Sequence, residues 1–152
     1  MQKIFGHHTS TRMRTLMVFL ALAGLADAAY LADMALTGGT LVCDIQGLSG
    51  CNTVAQSAYS WVLGLPLALY GVFFYCAFLI TLVLYGRIGM RTYEIALMAL
   101  AAIGVLFSSY FLYLQLFVIE ALCIYCIGSA VVSYFLALLV FFGSRKETEV
   151  VL

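Results

Sequence analysis

Two cysteines three positions apart, Cys123 and Cys126, are the residues of this sequence best suited to redox chemistry. At that spacing two side chains share one face of a helix, close enough to form or receive a disulfide. If a helix begins here, the positive end of its dipole stabilises a thiolate and favours thiol–disulfide exchange. Two further cysteines, Cys43 and Cys51, lie earlier in the chain. A CxxC motif by itself is a weak signal, so its meaning depends on where the four cysteines lie in the fold.

The composition is that of an integral membrane protein. Hydrophobic residues make up 65% of the chain, charged residues make up 9%, and the mean hydropathy is +1.11. A soluble domain with a charged surface would be far less apolar. With 152 residues and a net charge of zero, we expect a single membrane domain and no binding of nucleic acid.

Four apolar runs are each long enough to cross a hydrocarbon core of about 30 Å as a helix. We predict membrane spans over residues 16–36, 62–85, 95–119 and 122–143, within one domain that covers residues 1–152. The first run is longer than the apolar core of an ordinary signal peptide and has no clear cleavage site, so we interpret it as a retained span. The predicted fold class is an all-α integral membrane protein with a four-transmembrane-helix bundle.

The basic residues divide the connecting segments into two groups. All seven lie before the first predicted span, between the second and third spans, or after the fourth: Lys3, Arg12, Arg14, Arg87, Arg91, Arg145 and Lys146. The loop at 37–61 and the short turn at 118–121 contain none. The positive-inside rule therefore predicts that both termini are cytoplasmic and that these two loops face the outer side.

This topology brings four of the five cysteines to the outer face. Cys43 and Cys51 fall in the first outer loop, and Cys123 and Cys126 fall at the start of the fourth span. Disulfides persist in the periplasm and equivalent compartments. Three interpretations fit the two pairs: structural disulfides that clamp a loop, a four-cysteine zinc site, and redox catalysis. The wide interval between Cys43 and Cys51 disfavours the zinc site.

The order of these features resembles the vitamin K epoxide reductase family, including its bacterial members. The resemblance runs from the first predicted span to the fourth. It is carried by the cysteine order and by Asp27-Ala28-Ala29-Tyr30-Leu31, Cys43-Asp44, Cys51 with Ser57, Ser60-Trp61-Val62-Leu63-Gly64-Leu65-Pro66 and Cys123-Ile124-Tyr125-Cys126. The resemblance implies a bundle around a quinone, with a short outer half-helix from Cys51 through Tyr59. We expect a bacterial-type homologue without a fused thioredoxin domain.

The resemblance also implies a relay between two cysteine pairs. Cys43 and Cys51 would be the shuttle pair, which takes electrons from a separate thioredoxin-like periplasmic partner. Cys51 would pass them to Cys123 through a transient disulfide and release Cys126 as the thiolate beside the quinone, with ubiquinone or menaquinone as the expected acceptor. The implied protein is a quinone-linked thiol oxidoreductase of the prokaryotic plasma membrane that supports disulfide bond formation, with its cysteines facing the outer side.

Candidate quinone contacts are less well defined than the cysteines. They comprise the family-matched polar residue of the outer loop and apolar or aromatic residues near the outer half of the third span: Ser57, Phe107, Tyr110, Phe111 and Leu114. Animal members of the family hold the ring with an amide in span two and a tyrosine after the CxxC. This sequence has no Asn or Gln in span two, and Ala130 stands where the tyrosine is wanted. This difference favours an ordinary quinone over vitamin K epoxide.

Two side chains inside the predicted spans need separate interpretation. Asp27 lies near the middle of the first span, where a charged carboxylate costs on the order of 2.5 to 3.5 kcal/mol. It would be either a proton source for quinone reduction or a protonated carboxyl that is hydrogen-bonded between helices. Cys76 lies within the second span and is interpreted as a small apolar filler.

Several alternative functions fit the same pattern. Another type of quinone-linked bundle performs the same net reaction, but its CxxC lies in the first outer loop and its other pair in the second, the reverse of the order here. The protein could instead reduce quinone or vitamin K epoxide for quinone recycling. A non-catalytic four-span protein with disulfide-clamped outer loops is the alternative from outside the enzymes.

Overall fold

The computed structural model describes residues 11–43, 50–88 and 91–150. Four long helices form the body of the protein in these ranges: α1 (Thr11–Thr37), α3 (Leu67–Ile88), α4 (Arg91–Phe117) and α5 (Ile124–Val150). Between α1 and α3 lie a short helix, a turn of 3-10 helix and a hairpin: α2 (Cys51–Gln56), Ala58–Ser60, β1 (Trp61–Val62) and β2 (Leu65–Pro66). Lys3, Asp44 and the rest of the predicted outer loop at 44–49 lie outside the described residues.

Each long helix contains a segment that is long and apolar enough to cross a membrane. These segments are Arg12–Thr37, Leu67–Ile88, Arg91–Phe117 and Ile124–Gly143. Even the 20 residues of the last segment span about 30 Å at 1.5 Å per residue. The predicted bundle of four transmembrane helices is confirmed, a short helix precedes the second of them, and the chain is a multi-pass membrane protein.

The second membrane helix begins at Leu67 rather than at residue 62. The residues before it form a hairpin in which Trp61 pairs with Pro66 and Val62 with Leu65. Leu63 and Gly64 form its turn with φ values of 52° and 79°, the left-handed pair that joins two strands most tightly. Pro66, which was predicted to lie within span two, therefore precedes the helix. Hydropathy cannot distinguish an apolar hairpin from the first turns of an apolar helix, which explains the difference.

Small residues at Gly24 and Ala28 let α1 make a close contact with α3. A Cβ at Gly24 would overlap the ring of Tyr75. One turn further along, the Ala28 Cβ would lie 3.2 Å from a Cβ placed at Gly71. Small residues let two membrane helices approach closely, which is a main source of their association in lipid.

The two ends of the bundle differ in chemistry. At one end the Arg14 guanidinium lies against Gly86, next to Arg87 in the last turn of α3. Arg14 also lines a small cavity with Glu94 of α4 and Gly143 of α5. The described basic segments that flank the spans therefore meet at this end. The short helix α2 and the start of α5, which carry cysteines, lie at the other end.

The turn from α4 to α5 is held by the last turn of α4. The N–H groups of Val118 and Ile119 both donate to the Leu114 carbonyl oxygen, at 3.0 and 2.8 Å. Glu120 then adopts a left-handed conformation with φ of 52°, and the Ala121 N–H donates to the Gln115 carbonyl oxygen at 3.1 Å. This hydrogen-bonded turn fixes where α5 begins, because it satisfies carbonyl groups that a helix end otherwise leaves without partners.

The segment that carries Cys51 docks on this turn through a close backbone contact. The Gly50 N–H donates to the Leu122 carbonyl oxygen at 3.1 Å. A Cβ at residue 50 would lie 2.8 Å from the Ala121 Cβ and 2.9 Å from the Leu122 nitrogen. Since the turn would have to shift to admit such an atom, glycine is the residue that fits this contact.

Gly50→Ala is expected to displace α2 from the turn while the four long helices stay folded. The overlap should cost about 1–3 kcal/mol, so Cys51 should be labelled faster by a membrane-impermeant thiol reagent in the reduced protein. Gly128→Ala is a matched control, because a Cβ at Gly128 meets no atom within 4 Å. Equal labelling of Cys51 in the wild type and in Gly50→Ala would contradict the role given to this contact.

Candidate redox site

The four cysteines predicted to be functional lie together at one end of the bundle. Cys51 and Cys123 are buried, with 0% and 1% of their surface exposed, and they belong to one apolar cluster. Cys43 and Cys126 are partly buried and pack against the same cluster. Three separate segments of the chain contribute these residues, so the juxtaposition depends on the fold and not on sequence proximity.

The two pairs differ in their covalent state. Cys43 and Cys51 form a disulfide with Cα atoms 6.2 Å apart, within the usual range for such a bond. Cys123 and Cys126 are free thiols. Cys76 is a third free thiol and lies half-buried in α3. The cluster therefore brings a disulfide and a dithiol together, which is the arrangement that thiol–disulfide exchange requires.

The two sulfur atoms of the disulfide differ in access. Cys51 is the first residue of α2 and is fully buried against the cluster that contains Cys123. Cys43 is only partly buried and precedes the undescribed part of the loop. A thiol arriving from outside therefore meets Cys43 first, whereas Cys51 faces the interior.

Cys123 occupies the position of a helix N-cap. α5 begins at Ile124, and the Cys126 N–H points at the Cys123 sulfur at 3.4 Å. The Ile127 N–H donates to the Cys123 carbonyl oxygen at 3.0 Å. In most helices a serine, threonine or aspartate oxygen accepts the first of these bonds. Here a sulfur atom takes that place and lies at the positive end of the helix dipole.

This environment favours the thiolate of Cys123. The hydrogen bond from the Cys126 thiol is the largest influence, and with the backbone N–H groups of Cys126 and Tyr125 it lowers the pKa of Cys123 below its ordinary value. Burial and the charge of Asp27 act in the opposite direction. Because the thiolate is the reactive form, the N-terminal position makes Cys123 the more exchange-competent sulfur at its end of the helix.

Gln115 is a site residue that the sequence reasoning missed. Its side chain is 1% exposed, and its Oε1 accepts a hydrogen bond from the Cys123 N–H at 2.9 Å. The Cys123 backbone is thereby fixed from α4 as well as from α5. One signal was available in the sequence: Gln115 is the single amide side chain in α4, and a polar residue inside a membrane span needs a specific partner.

The comparison with known families agrees with this geometry. Residues 15–141 match the sequence model described as the vitamin K epoxide reductase family. The chain belongs to this family. Among curated proteins, no sequence matches it significantly. Family membership makes the protein a membrane oxidoreductase that works with a quinone.

The environment of Asp27 fits a quinone of the kind that this family uses. Its Oδ2 is buried and has no hydrogen-bond partner among the described residues, and its charge acts on Cys123. A buried carboxyl oxygen without a partner is costly unless it serves a ligand or a proton. An apolar bundle that holds a dithiol and this buried oxygen suits a quinone, whose reduction needs electrons and protons.

The other residues predicted to contact the quinone do not share one surface. Phe107 and Tyr110 are 59% and 54% exposed on the outside of the bundle, whereas Leu114 is buried. Phe111 is partly buried and stands edge-on to Tyr110, with ring centroids 5.6 Å apart. α4 thus presents these side chains on different faces. Only some of them can approach a ligand inside the bundle.

Ser57 ends α2, and its described side-chain hydrogen bond goes to the backbone of that helix and not to a thiol. Its hydroxyl donates to the Val54 carbonyl oxygen at 2.7 Å, and its extended backbone stops the helix at Gln56. Beyond it the chain continues as the 3-10 turn, so the predicted half-helix from Cys51 through Tyr59 is present in two pieces. Ser57 also lines an open groove between α2 and the end of α4, with Val118 and Ile119.

Removing the thiol of Cys126 is expected to raise the pKa of Cys123, because the strongest hydrogen bond to its thiolate is lost. The titration can be followed by thiolate ultraviolet absorbance in a protein in which Cys43, Cys51 and Cys76 are replaced by serine and Cys126 is kept as the reference. Cys126→Ala should give the full upward shift, and Cys126→Ser a smaller one because a hydroxyl still donates. An unchanged pKa of Cys123 in Cys126→Ala would show that Cys126 does not tune this sulfur.

Proposed function

We propose that the protein carries electrons from a separate thioredoxin-like partner, through Cys43 and Cys51, to Cys123 and Cys126 and on to a quinone. The net result is oxidation of the partner, which supports disulfide formation in exported proteins. The observation that carries the proposal is the burial of Cys51 and Cys123 in one cluster with Cys43 on its accessible side. Family membership supplies the general chemistry, and this arrangement supports the order of the steps.

The first exchange opens the shuttle disulfide. A thiolate of the partner attacks the sulfur of Cys43, forms a mixed disulfide with it and releases Cys51 as a thiolate. The greater exposure of Cys43 supports this direction of attack. The second thiol of the partner then displaces Cys43, so the partner leaves oxidised and Cys43 is left as a thiol.

The second exchange moves the electrons inward. The Cys51 thiolate attacks Cys123 of a Cys123–Cys126 disulfide and releases Cys126 as a thiolate. Cys43 then attacks Cys51, which restores the shuttle disulfide and leaves both sulfur atoms of the CxxC reduced. A Cys43–Cys51 disulfide beside free thiols at Cys123 and Cys126 is the pattern expected after this step.

The last step reoxidises the CxxC. When bound, the quinone supplies an acceptor for two electrons and two protons. Cys126 lies about 4.5 Å deeper along the helix than Cys123, at 1.5 Å per residue, and is the better placed of the two to meet a membrane-dissolved ring. Asp27, with its unpartnered buried oxygen, holds a proton for this site. Closing the Cys123–Cys126 disulfide returns the protein to the state that receives the next electrons.

We propose that the cysteine end of the bundle faces the outside of a prokaryotic plasma membrane. The basic residues Arg14 and Arg87 meet at the opposite end, which the positive-inside rule assigns to the cytoplasm. In this orientation the four cysteines face the compartment where disulfides persist. The acceptor is ubiquinone or menaquinone, since the family features that would hold vitamin K epoxide are missing from the sequence.

Replacing Cys43 is expected to trap the inner exchange. In Cys43→Ala the thiol that resolves the Cys51–Cys123 disulfide by attacking Cys51 is absent, so this disulfide should accumulate when a reduced dithiol donor and quinone are supplied. Non-reducing peptide mapping measures it, and Cys76→Ala is the matched control because Cys76 lies outside the cluster. Absence of the Cys51–Cys123 peptide in Cys43→Ala would show that the order of the relay is wrong.

Asp27→Asn is expected to lower kcat for quinone reduction by about 100-fold, the usual contribution of a positioned acid. Trapping of the Cys51–Cys123 disulfide in the Cys43→Ala background should be unaffected, because that exchange does not protonate the quinone. Asp33→Asn is the control, since Asp33 is exposed near the end of the same helix. Unchanged turnover in Asp27→Asn would assign this carboxyl a structural role.

A further inference from the structure

The backbone just before Cys43 is tied to the remainder of the site by two side chains that neighbour the other cysteines. The Asn52 amide pairs with both backbone groups of Leu41: Oδ1 accepts from the Leu41 N–H at 2.8 Å, and Nδ2 donates to the Leu41 carbonyl oxygen at 3.1 Å. The Tyr125 hydroxyl donates to the next carbonyl oxygen, that of Val42, at 3.0 Å. Asn52 follows Cys51, and Tyr125 lies between the two cysteines of the CxxC.

Tyr125 is held in place independently of this hydrogen bond. Its ring packs against the Tyr30 ring of α1, with centroids 5.3 Å apart and an angle of 52° between the rings. Both rings belong to the partly buried shell of the cysteine cluster. The contact between the two rings does not depend on the bond to Val42.

We propose that Tyr125 is a positioning residue that, together with Asn52, latches the segment 41–43 onto the start of α5. The latch keeps the shuttle disulfide against Cys123 and restricts the outward movement that Cys43 needs to meet a partner. This inference rests on the proposed relay. It adds a residue that affects both the exchange with the partner and the exchange between the two cysteine pairs. An aromatic residue at this depth is often an interface anchor that faces lipid, but this hydroxyl bonds to the backbone of the redox loop.

The latch slows the attack of an external thiolate on Cys43 and favours the later return of Cys43 to Cys51. When the Tyr125 hydroxyl holds Val42, Cys43 is kept close to Cys51 and an external thiolate must wait for the segment to open. The same contact favours return of Cys43 to Cys51 after the inner exchange. The hydrogen bond is exposed, so it can be exchanged for a bond to water at small cost, as a reversible contact requires.

Tyr125→Phe tests this role because it keeps the ring and removes only the hydroxyl. In a quinone-free assay, we expect dithiothreitol to reduce the Cys43–Cys51 disulfide about two- to tenfold faster than in the wild type. Mass-tag alkylation of Cys43 after rapid quenching measures this rate. Oxidation of the pre-reduced CxxC by a short-chain ubiquinone should proceed at the wild-type rate, since the described hydrogen bond of this hydroxyl goes to Val42 and not to a sulfur atom.

Tyr70→Phe is the matched control. Its hydroxyl also donates to an exposed backbone carbonyl oxygen, that of Val62 in the hairpin, at 3.1 Å, but it is not linked to the segment before Cys43. We expect wild-type rates in both assays. Asn52→Asp keeps the acceptor for Leu41 and loses the donor, so it should accelerate reduction of the disulfide in the same direction as Tyr125→Phe.

The outcomes separate the latch from the relay itself. Unchanged or slower disulfide reduction in Tyr125→Phe would overturn the latch, as would equal acceleration in Tyr70→Phe, which would indicate general loosening. Acceleration in Tyr125→Phe but not in Tyr70→Phe supports it. Because the first assay contains no quinone, it gives this answer even if the wild type proved unable to reduce quinone, a result that would reject the proposed function alone.

Discussion

The close backbone contact between Gly50 and the turn at Ala121 and Leu122 is the constraint on which the site depends. The segment that carries Cys51 is short beside the four long helices, so a few specific contacts must hold it in place. The Gly50 contact sets α2 directly against the start of α5 and thereby buries Cys51 together with Cys123. A relay through exchange of disulfides needs this proximity, because sulfur atoms react only when one can approach another along the bond that breaks.

The polar groups inside the apolar bundle fall into two kinds. The buried Tyr75 hydroxyl bonds to Ser129 and Ser133 of α5 at 3.0 and 3.3 Å, and buried Gln115 bonds to the Cys123 N–H. These groups have partners, and they join helices that would otherwise be held by packing alone. Asp27 differs because its Oδ2 has no partner among the described residues. A buried carboxyl oxygen without a structural partner is the natural candidate for a chemical role.

The sequence was sufficient for the parts of the fold that follow from hydropathy and charge. Four apolar runs predicted the four spans, and the positions of the basic residues brought Cys43, Cys51, Cys123 and Cys126 to one end. The hairpin before α3 was not predictable in this way, since an apolar strand and an apolar helix have similar hydropathy. The turn at Leu63 and Gly64 depends on the local backbone conformation of two residues. Hydropathy averaged over the length of a membrane span does not detect such a turn.

The finer structure of the site could not be derived from the sequence for a different reason. The Cys123 N–H bonds to Gln115 across the turn between α4 and α5, and the Tyr125 hydroxyl bonds to Val42, 83 residues earlier in the chain. Hydropathy and spacing do not identify the partner of a polar side chain in either case. The sequence also did not reveal which face of α4 is buried. Phe107 is 59% exposed and Leu114 is 5% exposed, although both were predicted to contact the quinone. Helix rotation within a bundle of nearly uniform hydropathy is set by packing against neighbours.

The division of labour between the two cysteine pairs can be tested directly by single-turnover transfer to quinone. Two double variants, Cys43→Ser with Cys51→Ser and Cys123→Ser with Cys126→Ser, are reduced chemically and mixed with a short-chain ubiquinone without oxygen. We expect the first variant to oxidise its CxxC and reduce quinone in a single turnover, and the second to transfer no electrons. Quinone reduction by the second variant at the rate of the first, or none by the first, would contradict the assignment of Cys123 and Cys126 as the pair that meets the quinone.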